Sequence, residues 1–487
     1  MPNTKVLSGV IPIQDFNKGG LAFSKWSGLA NSLYKMIGFD PHSTPGTLKV
    51  EQKLTLDAGM VGVVDEFCRY AISGSNNIRY WFSYTSGKIW QETAGTYTLV
   101  YTTSPAGGAA GCLGAKEYQG YIYWATQSRL HRIPIATANG AGEWTTNAVP
   151  NWKTFSITDA SFHPMLDHTG QQILYIGDGN YLAQVDAGTF SANALDIKTP
   201  LKIKSLGEIG TDVLIGTYVA SSVTQAEIIR WNGWSVSFTN SDPIPETGVN
   251  AFLPADNMVL AQAGTQGNIY YYDGTNLELY MKIPGNYSSA AYGEVYPGSV
   301  ANNGGQILFG FSNGSGNPAD ELIYRLARHS RNFSYILDAP YPISERSGSN
   351  FVLTGIEIGA ILVVNNLIYV AWKNGASYGI DKLDASNKLD GAYFETRVMT
   401  VNREEFANFS EAFIAYASKP ASTDIDFYLD KNYAGYGSAL SKIDDIQRCV
   451  VRTKDEATEF NTLQLKVKFT TSANSAPQIE SGAVVIR

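Results

Sequence analysis

One arrangement of apolar and polar positions recurs along most of the chain. An apolar run of strand length is followed by a tight polar turn and then by a second strand that often carries an aromatic residue. It reads Arg79-Tyr80-Trp81-Phe82 through Thr85-Ser86-Gly87 into Lys88-Ile89-Trp90, and again Tyr121-Ile122-Tyr123-Trp124 into Arg129-Leu130-His131-Arg132. Later copies centre on Ile173–Ile176, Val213–Ile215, Met258–Leu260, Ile307–Phe309 and Leu367–Val370. With Trp81, Ile122, Leu174, Leu214, Val259, Leu308 and Tyr369 as markers, the steps are 41, 52, 40, 45, 49 and 61 residues. Multi-strand repeats of roughly 40 to 50 residues without a helical period mark a β-propeller. One such unit cannot cover both faces of its own sheet, so neighbouring units must close around an axis. The pattern predicts an all-β fold whose centre, residues 57–390, is a propeller of about seven blades.

The two flanks break the repeat. In residues 1–56, Phe16, Leu21, Phe23 and Trp26 stand in a Gly-rich stretch, and Trp26, Leu29, Leu33 and Met36 fall at helical spacing. That spacing predicts a short helix ending near Gly38. The turn Asp40-Pro41-His42-Ser43-Thr44-Pro45-Gly46 then leads into an alternating strand, Leu48-Val50-Gln52-Leu54. This segment is expected to be a strap that closes the propeller or an arm that reaches a neighbouring subunit. In residues 391–487, Ile425-Phe427-Leu429 alternates with Asp424-Asp426-Tyr428, and Leu463-Leu465-Val467-Phe469 with Gln464-Lys466-Lys468. Period-two alternation with one wet face predicts antiparallel sheet, here a C-terminal β-sandwich.

Composition narrows the function classes. Charged residues are 16% of the 487, against about 25% in an average soluble protein. Their place is taken by small polar residues, 47 Gly and 29 Tyr, which suits contact with proteins or sugars. A formal net charge of −8 lacks the basic stripe that generic nucleic-acid binding needs, yet it is compatible with a wall past which DNA slides. Three widely separated cysteines, Cys68, Cys112 and Cys449, do not make a disulfide framework and fit folding in a reducing cytoplasm. The longest apolar run, Gly359 to Trp372, is broken by Asn365-Asn366 and is too short to span a bilayer.

Linear motifs for chemistry are missing. There is no Gly-x-Ser-x-Gly elbow, no His-Glu-x-x-His, no phosphate-cradling Gly-Lys-Ser/Thr and no Ser-x-Asp-x-Gly-x-x-Trp turn. His163-Pro164-Met165-Leu166-Asp167-His168 clusters two imidazoles and a carboxylate, but Pro164 and Thr169-Gly170 make it a loop before a strand. Asp178-Gly179-Asn180 and Asp273-Gly274-Thr275-Asn276 read as hairpin turns, not calcium loops. Neither a cofactor, a metal nor a nucleophile–base pair is nominated. Asp178 and Glu294 lie in loops from which an acid pair could be built, although nothing in their spacing selects them.

The order of parts resembles the tail hub (nozzle) proteins of short-tailed bacteriophages. The residues that carry the resemblance are Gly38-Phe39 through Ser43-Thr44-Pro45-Gly46-Thr47-Leu48-Lys49-Val50, the blade series, and Tyr393-Phe394-Glu395-Thr396-Arg397-Val398 leading into the terminal sheet. The resemblance implies a virion structural protein without catalytic activity, made in the bacterial host's cytoplasm and carried in the tail. It implies a homo-oligomeric ring that contacts other tail or adaptor proteins and lets DNA pass without specific binding. Two alternatives stay open: a tail-tip protein that binds a host-surface receptor or glycan, and a carbohydrate-active enzyme. Expected partner or ligand contacts are Trp26 and Phe39 in the N-terminal segment and Trp231, Trp234 and Tyr271 in the blades, because flat rings stack on sugars or bury in interfaces.

Overall fold

Each recurring apolar pair becomes the two central strands of a four-stranded antiparallel sheet, where both faces of a strand are covered. A computed structural model describes residues 9–28, 30–104, 111–219, 225–256, 258–315, 323–331, 333–345, 355–400, 407–444, 447–452 and 459–486. Seven such sheets follow one another around an axis. Their first, innermost strands are Cys68–Ser73, Gly114–Tyr118, Met165–His168, Lys202–Ile209, Val249–Ala255, Val300–Asn303 and Ile356–Val364. Each touches the next, and the seventh returns to the first, so the ring is closed.

Aromatic residues of the repeat fill the seams between blades. Tyr175 of blade 3 meets Trp231 of blade 4 at 5.7 Å between ring centroids, and Trp81 of blade 1 meets Tyr369 of blade 7 at 6.3 Å. At the closing seam Gly359 lets backbones approach: a Cβ there would lie 2.1 Å from the carbonyl oxygen of Cys68. The fourth strand of blade 7 comes from the other end of the chain, Gln52–Leu56 pairing antiparallel with Ser377–Lys388. The strap therefore closes the propeller.

The rest of the strap is built into the sandwich. In one sheet, Gly9–Ile13 and Leu48–Val50 both pair with the last strand, Gln478–Ile486, which also pairs with Ala407–Ser418. In the other, Leu33–Ile37 pairs with Tyr393–Thr396, which in turn pairs with the central strand Thr462–Thr470. Phe39 lies between the sheets, its ring edge-on to Phe469 at 5.2 Å.

Three expectations need correction. The helix over Trp26–Met36 is absent: the described residues form a loop and then the strand Leu33–Ile37, because pairing with Tyr393–Thr396 overrides a helical spacing of only four apolar points. The alternating run Leu48–Leu54 is two strands, divided at Glu51 between the sandwich and blade 7. His163–His168 includes the innermost strand of blade 3 instead of being only a loop. Part of the long Asp338–Asn350 connection, 346–350, lies outside the described residues.

Sandwich and propeller meet along the outer strand of blade 6, Ile336–Asp338, where Leu21 N–H donates to Leu337 O at 2.8 Å and Gly38 N–H to Ala339 O at 3.0 Å. A buried ion cluster locks this joint. Arg325 donates to Asp338 through Nη2 at 2.6 Å and Nε at 3.1 Å, to Glu51 through Nη1 at 2.8 Å, and to the Phe39 carbonyl at 3.1 Å. Asp40 is 3.5 Å from the same guanidinium, and His42 Nε2 is 3.1 Å from Asp338. Burial pushes the Glu51 carboxyl up, and the charges of Asp40 and Asp338 add to this against the pull of Arg325. Burial also opposes ionisation of Asp40, but Arg325 and hydrogen bonds from Ser43 and His42 hold it below its ordinary value.

Candidate functional site

The innermost strands of a propeller face its axis, so side chains on them can converge without sharing a linear motif. Around the axis they enclose a cavity of about 400 Å³ lined from six blades, including Ser73, Lys116, Glu117, Met165, Leu206 and Ile361. At the end where these strands begin, the axis is plugged. Arg69 lies between two tyrosine rings, its Cζ 3.6 Å from the centroid of Tyr84 and 3.9 Å from that of Tyr296. Its Nη2 donates to Glu357 at 3.2 Å, and Tyr296 Oη donates to the same carboxylate oxygen at 3.1 Å. Lys373 Nζ takes the other oxygen at 2.8 Å. Burial alone would raise Glu357, but Lys373 and Arg69 outweigh it and hold the carboxyl below its usual range.

A second pair lies alongside. Lys204 Nζ donates to Glu294 at 2.6 Å and to Asn250 Oδ1 at 2.7 Å, and it sits 5.0 Å from the Phe162 ring. Only about 10 Å³ of space remains between Arg69, Tyr84, Tyr296 and Phe162, room for one water at most. Among the described residues the buried Arg69 Nε has no hydrogen-bond partner. Arg69, Lys204 and Lys373 against Glu294 and Glu357 leave one positive charge in excess. Every carboxylate of the plug is engaged by a cation, so the arrangement suits rigid closure of the axis better than proton transfer.

The five expected contact residues are not brought together. Phe39 and Trp231 are core residues, at 0% and 2% exposure; Trp231 Nε1 donates to Ser235 O at 2.8 Å. Both are corrected from contact to packing roles, since each ring fills a space between sheets. Tyr271 is half-buried between Tyr270 and Tyr272, whose hydroxyls donate to Glu246 and Asp242. Trp26 is half-exposed on the sandwich, and Trp234 stands 72% exposed on a loop of blade 4 next to Val236. That loop is firm: Asn232 Oδ1 accepts from Trp234 N–H, Ser235 N–H and Ser235 Oγ–H at 2.9–3.0 Å.

Other candidates are occupied. Burial pushes Asp178 up to about 6, although its carboxylate accepts from the backbone N–H groups of Ser156 and Ile157. Glu294 is held by Lys204. His163 is buried, stacked on Phe155 at 4.0 Å, with Nδ1 2.6 Å from Gly177 O. Among the described residues no group of three or more His, Cys, Asp or Glu side chains could hold a metal, and the three cysteines are free and buried. No described helix is long and apolar enough to cross a membrane. The plug residues Arg69, Tyr84, Lys204, Tyr296 and Glu357 escaped sequence reasoning. The signal for all but Tyr84, which follows the second strand of blade 1, is a polar or aromatic residue near the start of an innermost strand or in the connection before it.

No protein-family model matches the sequence, and no curated protein matches it. Among solved structures, two of the extracellular domain of BT4673 from B. thetaiotaomicron are similar to the chain. One, described as part of a one-component system, is 14% identical with a TM-score of 0.45, covering 83% of this chain and 46% of that one. The other, described as part of a hybrid two-component system, is 13% identical with a TM-score of 0.46, covering 84% and 47%. The chain thus spans about half the length of these two. The β-propeller domain of Swd1 from Myceliophteria thermophila is 10% identical with a TM-score of 0.43, covering 66% of this chain and 97% of that one.

Proposed function

We propose that the protein is a non-catalytic assembly platform, a ring-forming tail hub component of a short-tailed bacteriophage. The observation that carries this reading is the route of the chain. The strap runs through both sheets of the sandwich, supplies the closing strand of blade 7, and the chain returns to the sandwich after the seventh blade. That is the strap–propeller–sandwich order of the resembled family in a single knitted body. Such a body transmits load between its parts because none can shift alone. The plugged axis supports a further point: each propeller is closed at one end of its axis. A duplex whose major groove alone is about 12 Å wide needs a channel between copies, not one through a blade axis. The acidic balance of −8 fits a wall that does not hold phosphates. The firm, exposed Trp234–Val236 loop suits a neighbour contact, because aromatic anchors dominate binding energy at interfaces.

Sedimentation and electron microscopy of the purified chain, alone and with tail adaptor proteins, test this. Closed rings, appearing alone or on addition of an adaptor, are expected. A particle that stays monomeric at high concentration with every adaptor overturns the proposal.

A further inference from the structure

On the outer surface of the sandwich, a loop from the start of the chain meets a turn from near its end. Trp26 and Tyr433 place their rings 5.2 Å apart, tilted by 58°. Both are about half exposed, at 50% and 47%. Lys25 Nζ lies 5.4 Å from the Trp26 ring and 4.9 Å from the Tyr433 ring. The Trp26 loop is fixed by Ser24, whose Oγ accepts the N–H groups of Trp26 and Ser27, both at 3.2 Å.

The turn under Tyr433 is unusual. Ala434 N–H donates to Lys431 O at 3.1 Å, and the two residues between are both left-handed, Asn432 at φ 54° and Tyr433 at φ 62°. Two successive positive φ values make a mirror-image turn whose second central position ordinarily holds glycine. Asn tolerates that conformation; a bulky aromatic there is strained. The turn is nevertheless pinned, because Asn432 Oδ1 accepts from Asn461 N–H at 2.8 Å and from Thr462 N–H at 3.2 Å. Strain of this kind persists where the surroundings over-determine it, and it gathers at ligand clamps. Here it sets an exposed ring beside a second exposed ring with an ammonium over both.

We propose that Trp26, Lys25 and Tyr433 form a carbohydrate-binding site for a single pyranose ring of a surface polysaccharide. The C–H face of the sugar stacks on an aromatic face, and its hydroxyls meet Lys25 Nζ, Ser27 Oγ and the side-chain N–H groups of the exposed Asn432. A protein partner fits less well, since the buried centre of protein interfaces is depleted in lysine, whereas a sugar brings its own polar rim. This site lies beyond the assembly reading and does not depend on it.

Titration calorimetry of the full chain against oligomers of glucose, galactose, N-acetylglucosamine and glucuronate tests the proposal, with Trp26→Ala and Tyr433→Gly. Binding to at least one oligomer is expected, weakened tenfold or more by Trp26→Ala and lost in Tyr433→Gly. Glycine also relieves the left-handed turn, so Tyr433→Gly should raise the urea midpoint while abolishing binding. No binding by the parent protein to any oligomer overturns the proposal, as does binding that survives both substitutions. A lower urea midpoint for Tyr433→Gly overturns it too, by making the tyrosine a structural residue. If either variant instead breaks up an oligomer, the face is a subunit contact and the sugar site falls while the assembly reading stands.

Discussion

Replacing Arg325 by Met should cost about 3–5 kcal/mol at pH 8, the usual penalty for breaking a buried ion pair by removing one partner. Arg325 is almost fully buried, and Asp338, its main partner, is completely so. Four good hydrogen bonds go with the guanidinium: two to Asp338, one to Glu51 and one to the Phe39 carbonyl. Met fills the volume of the aliphatic stem, so the loss is mainly that of the guanidinium and its hydrogen bonds. The cluster formally holds one positive against three negative charges, Asp40, Glu51 and Asp338, so the variant leaves three buried or half-buried carboxylates with no arginine.

That excess gives the prediction a pH signature. Without Arg325 the native-state carboxyls rise above their unfolded values near pH 4, and the folded state then takes up protons as pH falls. A carboxyl with a raised folded pKa favours folding below its unfolded pKa and loses that advantage as pH rises through the folded pKa. The difference between parent and variant should therefore shrink on acidification, by up to about 1.4 kcal/mol per pH unit for each proton bound. Urea unfolding followed by tryptophan fluorescence, at pH 5.5, 7 and 8, measures it. A loss below about 1 kcal/mol, or one independent of pH across that range, refutes the claim that the cluster holds the joint.

Glu51→Gln should leave stability unchanged or raise it at pH 8, because Gln still accepts from Arg325 and removes a carboxyl whose folded pKa burial has raised. The parent should lose stability as pH rises from the unfolded glutamate value near 4.3 through the raised one, and the variant should lose less; equal slopes in urea titrations argue against this. Gly359→Ala should destabilise by about 1–3 kcal/mol, since the new methyl meets the Cys68 backbone carbonyl at the closing seam; an unchanged melting temperature rejects a tight closure there. Arg69→Lys keeps the charge but loses the planar stack between Tyr84 and Tyr296, and should cost about 1–2 kcal/mol; an unaltered urea midpoint means the stack does not stabilise the plug.

The propeller was legible because the middle strands of each blade are covered on both sides, which writes a dense apolar run such as Ile173–Ile176 into the sequence. Outer strands such as Thr96–Thr102, exposed along much of their length, leave a weaker trace. Innermost strands are legible only in part, since the axis-facing positions answer to side chains from other blades; Arg69 belongs with Tyr296 and Glu357, far along the chain. The strap misled for the same reason. Whether Leu33 and Met36 are helix or strand depends on Tyr393–Thr396, and whether Phe39 is a contact or core depends on Phe469. Tyr433 was invisible because its value lies in a backbone angle and in a neighbour from the other end of the chain.

Glu51 shows what this non-local design implies for folding. It stands between Leu48–Val50, a sandwich strand, and Gln52–Leu56, the closing strand of blade 7, while its carboxylate accepts from Arg325 of blade 6. Sealing the propeller, completing the sandwich and docking one on the other therefore turn on a single short segment. Blade 7 cannot gain its fourth strand until two segments more than 300 residues apart have met, Leu56 beside Asp381. Closing so long a loop costs little more free energy than closing one half its length, about 0.6 kcal/mol per doubling, so stability tolerates the arrangement. The rate does not, because non-local pairings make folding slow. The strap is thus the element on which propeller closure and sandwich docking both depend, and the buried cluster around Arg325 lies at that junction.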